Sequence, residues 1–239
     1  MSLPGHHAHH PHHHHEKHSG ATAALRDIVI GLSDGLTVPF ALSAGLSGAV
    51  SSNSIILIAG IAEVVAGTIS MGLGGYLAGQ TEVDHYAGEE KREYQEIKDI
   101  PLEEEREIKE ILAAYGISEH TQTQVAKELA LDHDKWVDFM MRFELGLEKP
   151  DPKQAFVSAF RIGASYAVGG LIPLSAYWYT SSPEQGLLYS SIITVVCLGL
   201  FGYWKAKLTS QDLFKGVGMT ILIGIGAAAA AFGIAKLIK

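Results

Sequence analysis

The chain has 239 residues, a single cysteine and a formal charge of −8. One cysteine excludes an internal disulfide, so nothing points to an oxidised secreted domain. The charge is local: residues 82–151 hold 20 Asp or Glu against 9 Lys or Arg, a net of −11, which argues against nucleic acid and suits cations.

The N-terminus, "HHAHHPHHHHEKH", is low-complexity and reads as a disordered His-rich arm over residues 1–24. Interruption by Ala8, Pro11 and Glu16 speaks against an unbroken purification tag and for a native arm that binds divalent metals weakly. It lacks the apolar core of a signal peptide.

Five apolar stretches follow, each long enough to cross a bilayer as a helix of about 20 residues. They fall at residues 28–50, 54–78, 155–178, 187–206 and 213–236. The first two are joined by "SSNS", which predicts a tight helical hairpin, and the third and fourth by "TSSPEQG". Both connections lack Lys and Arg, whereas Arg26, Lys149, Lys153, Lys205, Lys207 and Lys215 lie on the other side. That bias places the N-terminus and the acidic segment in the cytoplasm and the C-terminus outside or in an organelle lumen. Gly31 and Gly35, Gly75 and Gly79, and "GIGAAAAAFG" predict close helix approach within or between subunits. An odd number of spans excludes two equal inverted halves, so a homodimer with its path at the interface is the natural arrangement.

Charges inside membrane helices are costly and usually functional. Three stand out: Asp34, Glu63 and Arg161, the last of which either snorkels or serves the path. Depth along antiparallel spans puts Asp34 and Met71 at one level, with Glu63 two turns further in. A carboxylate beside a thioether suits a transition metal better than Mg²⁺ or Ca²⁺, although a methionine such as Met71 taken alone is more often a packing residue. Glu63, Gly67, Ser70 and Gly74 share one helix face and read as the wall of a polar path. Pro39 removes a backbone donor and is expected to open or bend the first span.

Residues 80–150 read as a three-helix cytoplasmic domain inserted between spans two and three. Its first helix continues span two over about 80–98 and aligns Glu82, His85, Glu89, Glu93 and Glu96 in a mutually repelling stripe that a bound cation would relieve. Asp99 is the expected cap of a second helix over 101–115, with Pro101 at its first position and Gly116 after its end. The apolar face of that helix is Ile108, Ile111, Leu112 and Tyr115; Glu104 projects onto it and Glu107 sits at its edge. A third helix is expected over 118–146, with Val125, Leu129, Trp136 and Phe143 as its apolar stripe. Met140, Val137, Glu144 and Met141 form an adjoining arc. It reads either as core filler or, with packing left to Trp136, Phe139 and Phe143, as the soft side of a metal site.

At these residues the chain resembles the vacuolar iron transporter family of plants and fungi over nearly everything after Ala24. The motifs that carry the resemblance are "DGLTVPFALSAGLSGA", "AGTISMGLGGYLAGQTEVDHY", "EEKREYQEI", "PLEEEREI" and "DFMMRFELGLE", in this order. The resemblance implies an all-α polytopic dimer of five-span subunits that exchanges cytosolic Fe²⁺ for protons from a vacuole or other acidic organelle. Asp34, Glu63 and Met71 match its pathway positions, and Glu93, Glu96, Glu104, Glu107, Met140, Met141 and Glu144 match its cytoplasmic metal-binding domain. Fe²⁺ is then substrate rather than a resident cofactor, and Mn²⁺, Zn²⁺ or Co²⁺ are further possible cargoes. The partners implied are the bilayer, protons and a second copy of the chain. A membrane-anchored metal buffer or sensor is the alternative of a different class, and the buried acids of the spans speak against it. No nucleophile–base pair or phosphate loop points to an enzyme.

Overall fold

The computed structural model of the protein describes residues 18–238, and the His-rich arm expected ahead of them lies outside the described residues up to position 17. Among the described residues the structure is all-helical, with eight helices: α1 (His18–Ala49), α2 (Asn53–Asp99), α3 (Pro101–Ala114), α4 (Glu119–Leu129), α5 (His133–Phe143), α6 (Pro152–Trp178), α7 (Pro183–Leu208) and α8 (Leu213–Ile238). Five of them, α1, α2, α6, α7 and α8, are long and apolar enough to cross a membrane. Each contains one predicted span, but two overrun it. Helix α1 starts ten residues early, helped by Ala23, Ala24, Leu25 and Arg26, which favour helix without being part of the apolar stretch. Helix α2 runs unbroken for 47 residues, about 70 Å at 1.5 Å per residue.

Local chemistry sets the boundaries. Asp151 accepts from Lys153 N at 2.9 Å and Pro152 opens α6; Ser182 accepts from Gln185 N at 3.4 Å and Pro183 opens α7. Asp212 accepts from Lys215 N at 2.9 Å and caps α8. Helix α1 passes through Pro39 without a break.

The expected hairpin of the first two spans is only half realised. The turn is short, and Asn53 ties it to the α6–α7 turn by donating to Thr180 O at 2.7 Å. The helices themselves are held apart, because α6 wedges between α1 and α2 and packs closely on both. Glycines make this possible. A Cβ on Gly31 or Gly35 would strike the backbone of Ile162 or Tyr166, and one on Gly79 would stand 2.8 Å from Ala155 Cα. Helices α7 and α8 close the bundle behind α1, around Leu36, Leu198 and Phe201 and around Phe40, Ala44 and Ala228.

The C-terminal part of α2 and the segment from there to α6 share a separate core of Tyr86, Ile97, Ile108, Ala126, Trp136, Val137, Met140 and Met141. This region departs from expectation in four places. The long helix predicted over 118–146 is two helices, since Asp132 leaves helical geometry, accepts from Lys135 N at 3.3 Å and starts α5 afresh. The restart turns α5 so that Trp136, Val137, Met140 and Met141 face inward while Phe143 is half exposed and stacks on Phe139 at 4.8 Å. Tyr115 is exposed as the residue that ends α3, ahead of Gly116 at φ 76°. Asp99 does not cap α3: it is still the last residue of α2, where it accepts from Gln95 at 2.9 Å.

Candidate functional site

Three carboxylates converge at the edge of the small core. Glu93 of α2, Glu104 of α3 and Glu144, just past α5, each offer an oxygen within 4.8 Å of the others. Glu93 is 1% exposed and Glu104 2%, whereas Glu144 faces solvent. Both oxygens of Glu93 and Oε2 of Glu104 are buried without a hydrogen-bond partner. Burial, reinforced first by Glu144 and then by Glu96, pushes the Glu93 carboxyl up to about 7. Burial and then Glu107 push Glu104 up to about 7 as well. Glu144 is raised by its partial burial, by Glu107 and by Glu96. Glu96 and Glu107, both half-buried, therefore belong to the same electrostatic cluster as the three converging acids. Once ionised, such a set is acceptor-only and self-repelling, and a cation would relieve it.

Met140 and Met141 come from the same short helix that delivers Glu144. Both are fully buried among Trp136, Val137 and Ile108. The premise that Phe143 relieves them of packing is overturned, because Phe143 points outward and the methionines fill the core. The stripe of α2 runs from exposed Glu82 and His85 through half-buried Glu89 to buried Glu93, a gradient that the spacing alone did not predict. Arg92, which pattern reading passed over, neutralises part of it, at 2.6 Å from Glu89, 3.5 Å from Glu96 and 3.7 Å from Glu93.

In the span bundle, Tyr166 of α6 is the organising residue. It is 3% exposed, its hydroxyl donates to Glu63 Oε1, its ring lies on Gly67 and its backbone lies on Gly35. With Gly35 and Gly67 both against Tyr166, Asp34 stands level with the stretch of α2 midway between Met71 and Glu63, about 6 Å along the axis from each. The acids and the thioether thus form a staggered ladder instead of the Asp34–Met71 pair at one level.

Met71 instead lines a cleft of about 370 Å³ between α1, α2 and α6, together with Asp27, Ser70, Glu82 and Ser158. Asp27 was outside the predicted span by one residue, yet it is completely buried. Arg161 is 33% exposed and pairs with Asp27 Oδ2 at 3.8 Å, so its charge serves a buried carboxylate instead of snorkelling. The seven-residue spacing of Asp27 and Asp34, two turns on one face with Gly31 between them, was the available signal.

These features define a helical membrane protein whose acid-bearing second helix joins a polar span bundle to a compact, carboxylate-rich helical domain. The chain belongs to the VIT family, whose profile matches residues 25–236. It is 54% identical over 215 residues to Vacuolar iron transporter 1 of Eucalyptus grandis, covering 90% of this chain and 86% of that protein. The same identity and coverage hold for Vacuolar iron transporter 1 of Arabidopsis thaliana. Protein CCC1 of Saccharomyces cerevisiae is 42% identical over 217 residues, 87% of this chain and 67% of that one.

Proposed function

We propose that this protein moves cytosolic Fe²⁺ into a vacuole or similar acidic organelle in exchange for protons, as a homodimer. Residues 80–150 form its cytoplasmic metal-capturing domain, and residues 25–79 with 151–239 its membrane part. The observation that carries this reading is the continuity of helix α2. One unbroken helix bears the buried Glu93 of the converging cluster, the stripe of Glu89 and Glu82, then Met71 and Glu63. The names of the VIT-family relatives supply the cargo and the organelle. The exposed apolar face of α2, with Ile58, Val65, Ile69 and Leu73, suits lipid and a second subunit.

In this account Glu93, Glu104 and Glu144 bind the ion, Glu96 and Glu107 add charge around it, and Met140 and Met141 bias the site from their buried positions away from Mg²⁺ and Ca²⁺. The ion then steps down the ladder past Met71, Asp34 and Glu63. Protons and metal compete for the same carboxylates because a ligand must be deprotonated, so an acidic lumen expels the metal and proton return resets the carrier. The cytoplasmic side of the N-terminus and the lumenal C-terminus follow from the Lys and Arg bias. Reconstituted liposomes give the test. Fe²⁺ uptake is expected to follow an imposed pH gradient and to collapse in Asp34→Ala; uptake indifferent to both would defeat the proposal.

A further inference from the structure

We propose that Asp27 is a metal-receiving carboxylate at the domain-facing mouth of the span bundle, and that Arg161 is its resident counter-ion, displaced when a divalent cation arrives. The proposal rests on the pathway reading above and adds to it a step between the acid stripe and Met71.

Asp27 is an expensive residue. It is 0% exposed, and neither of its oxygens accepts a hydrogen bond. Arg26 and Arg161 each stand 3.8 Å away, well beyond the 2.7–2.9 Å of a seated charge-assisted bond. Arg161 is held no better, since its Nη1 is itself buried without a hydrogen bond. A carboxylate buried in this way is either a defect in the bundle or a position kept open for another cation. Its surroundings favour the second. It lines the 370 Å³ cleft with Met71, Glu82, Ser70 and Ser158, and with Arg26, whose side chain is 61% exposed and free to leave. Oxygen and sulfur donors in one cleft suit a borderline divalent transition metal.

Position supports the same assignment. Glu82 and Met71 are 11 residues apart on α2, about 16 Å, too far for one ion to touch both in passing. By the register that Tyr166 sets between α1 and α2, Asp27 is level with Gly74, and Gly74 lines the same cleft. Asp27 thus divides the gap. Charge is also balanced at each stage. With the cleft empty, Asp27 and Glu82 face Arg26 and Arg161; with an ion bound and the guanidiniums turned away, the two carboxylates offset its charge. Arg161 is one-third exposed and so has room to turn away from Asp27. When the ion moves on to Met71 and Asp34, Arg161 returns and blocks its retreat.

The full chain in liposomes, loaded with Fe²⁺ against an imposed proton gradient, tests this with Asp27→Asn, Arg161→Gln, Arg161→Lys and the double variant Asp27→Asn/Arg161→Gln. Loss of the carboxylate is expected to raise KM about tenfold or more. Arg161→Gln is expected to lower KM and to slow turnover, because nothing replaces the ion on Asp27, and Arg161→Lys should move both back toward wild type. The double variant should resemble Asp27→Asn alone, since Arg161 acts through Asp27. KM values all within about twofold of wild type, or a double variant restored to wild type as a merely structural pair would be, overturn the proposal. Equilibrium Co²⁺ titration of the detergent-solubilised full-length chain, with Glu93→Gln/Glu104→Gln/Glu144→Gln and the histidines of residues 6–18 replaced by Ala, reads the same site without transport. A remaining Co²⁺ site lost on Asp27→Asn supports the assignment, and no such site, or one unchanged by the substitution, refutes it. A wild-type chain that moves no iron defeats the transport reading alone, because the titration still decides Asp27.

Discussion

Replacing Glu104 by Gln separates the stability of the small helical domain from its capacity to hold metal. Glu104 is 2% exposed and its carboxyl is raised from 4.5 to about 7. A raised carboxyl contributes fully to stability below its unfolded value, and that contribution is lost as pH rises through the folded one. For one such group the linkage relation gives a cost of about 1 kcal/mol at pH 5.5 and about 3 kcal/mol at pH 8. Glutamine keeps the shape and cannot ionise. The metal-free Glu104→Gln protein should therefore be more stable than wild type by an amount that grows by about 2 kcal/mol over that interval. Hydrogen exchange of the α3 and α5 amides measures this locally, without interference from the span bundle. Divalent metal should reverse the order at pH 8, because wild type gains binding energy that the variant has lost. A variant destabilised at pH 8 without metal, or a difference independent of pH, would refute the electrostatic account of the cluster.

The remaining predictions are shorter. Met140→Leu/Met141→Leu keeps the bulk of two fully buried side chains, so stability should change by less than about 1.5 kcal/mol per site while preference for Fe²⁺ over Mg²⁺ falls in competition binding; unchanged preference returns both residues to core filling. Tyr166→Phe removes the donor to Glu63, a bond to a charged group valued at about 1.5–3 kcal/mol, and should slow uptake roughly 10–100-fold with folding retained. A rate unaffected by Tyr166→Phe would show that the Tyr166–Glu63 bond has no part in uptake. Gly35→Ala places a methyl 2.9 Å from Tyr166 Cα, where backbone cannot yield, and size-exclusion profiles should show loss of the monodisperse protein.

Where sequence and structure agree, the signal was periodic. Apolar runs of span length located α1, α2, α6, α7 and α8, and the three-and-four spacing of α2 carried its acid stripe down to Glu93. The inward Glu104 was legible because it stood on the apolar face of its own helix. What failed was non-local. The single residue Asp132 reset the phase of α5 and exchanged Phe143 for the methionines in the core, which helical spacing carried across residues 130–132 cannot anticipate. Tyr166 carried no mark in the sequence, since a tyrosine in a membrane helix becomes a partner for Glu63 only when Gly67 and Gly35 let α6 approach. Asp27 was missed because a hydropathy boundary ends where charge begins, whereas a helix bundle buries its ends against neighbours.

The 47 residues of α2 also fix an angle. From Glu93 to Glu63 is 30 residues, about 45 Å, with no loop to absorb a change of phase. A single residue inserted between Gly79 and Glu89 would rotate the acid cluster by about 100° about the helix axis relative to the spans, whereas seven would return it to within about 20°. Function should therefore recover periodically with insertion length. By the same rigidity, any twist imposed where Glu93, Glu104 and Glu144 draw together reaches the wall lined by Met71 and Glu63 as torque.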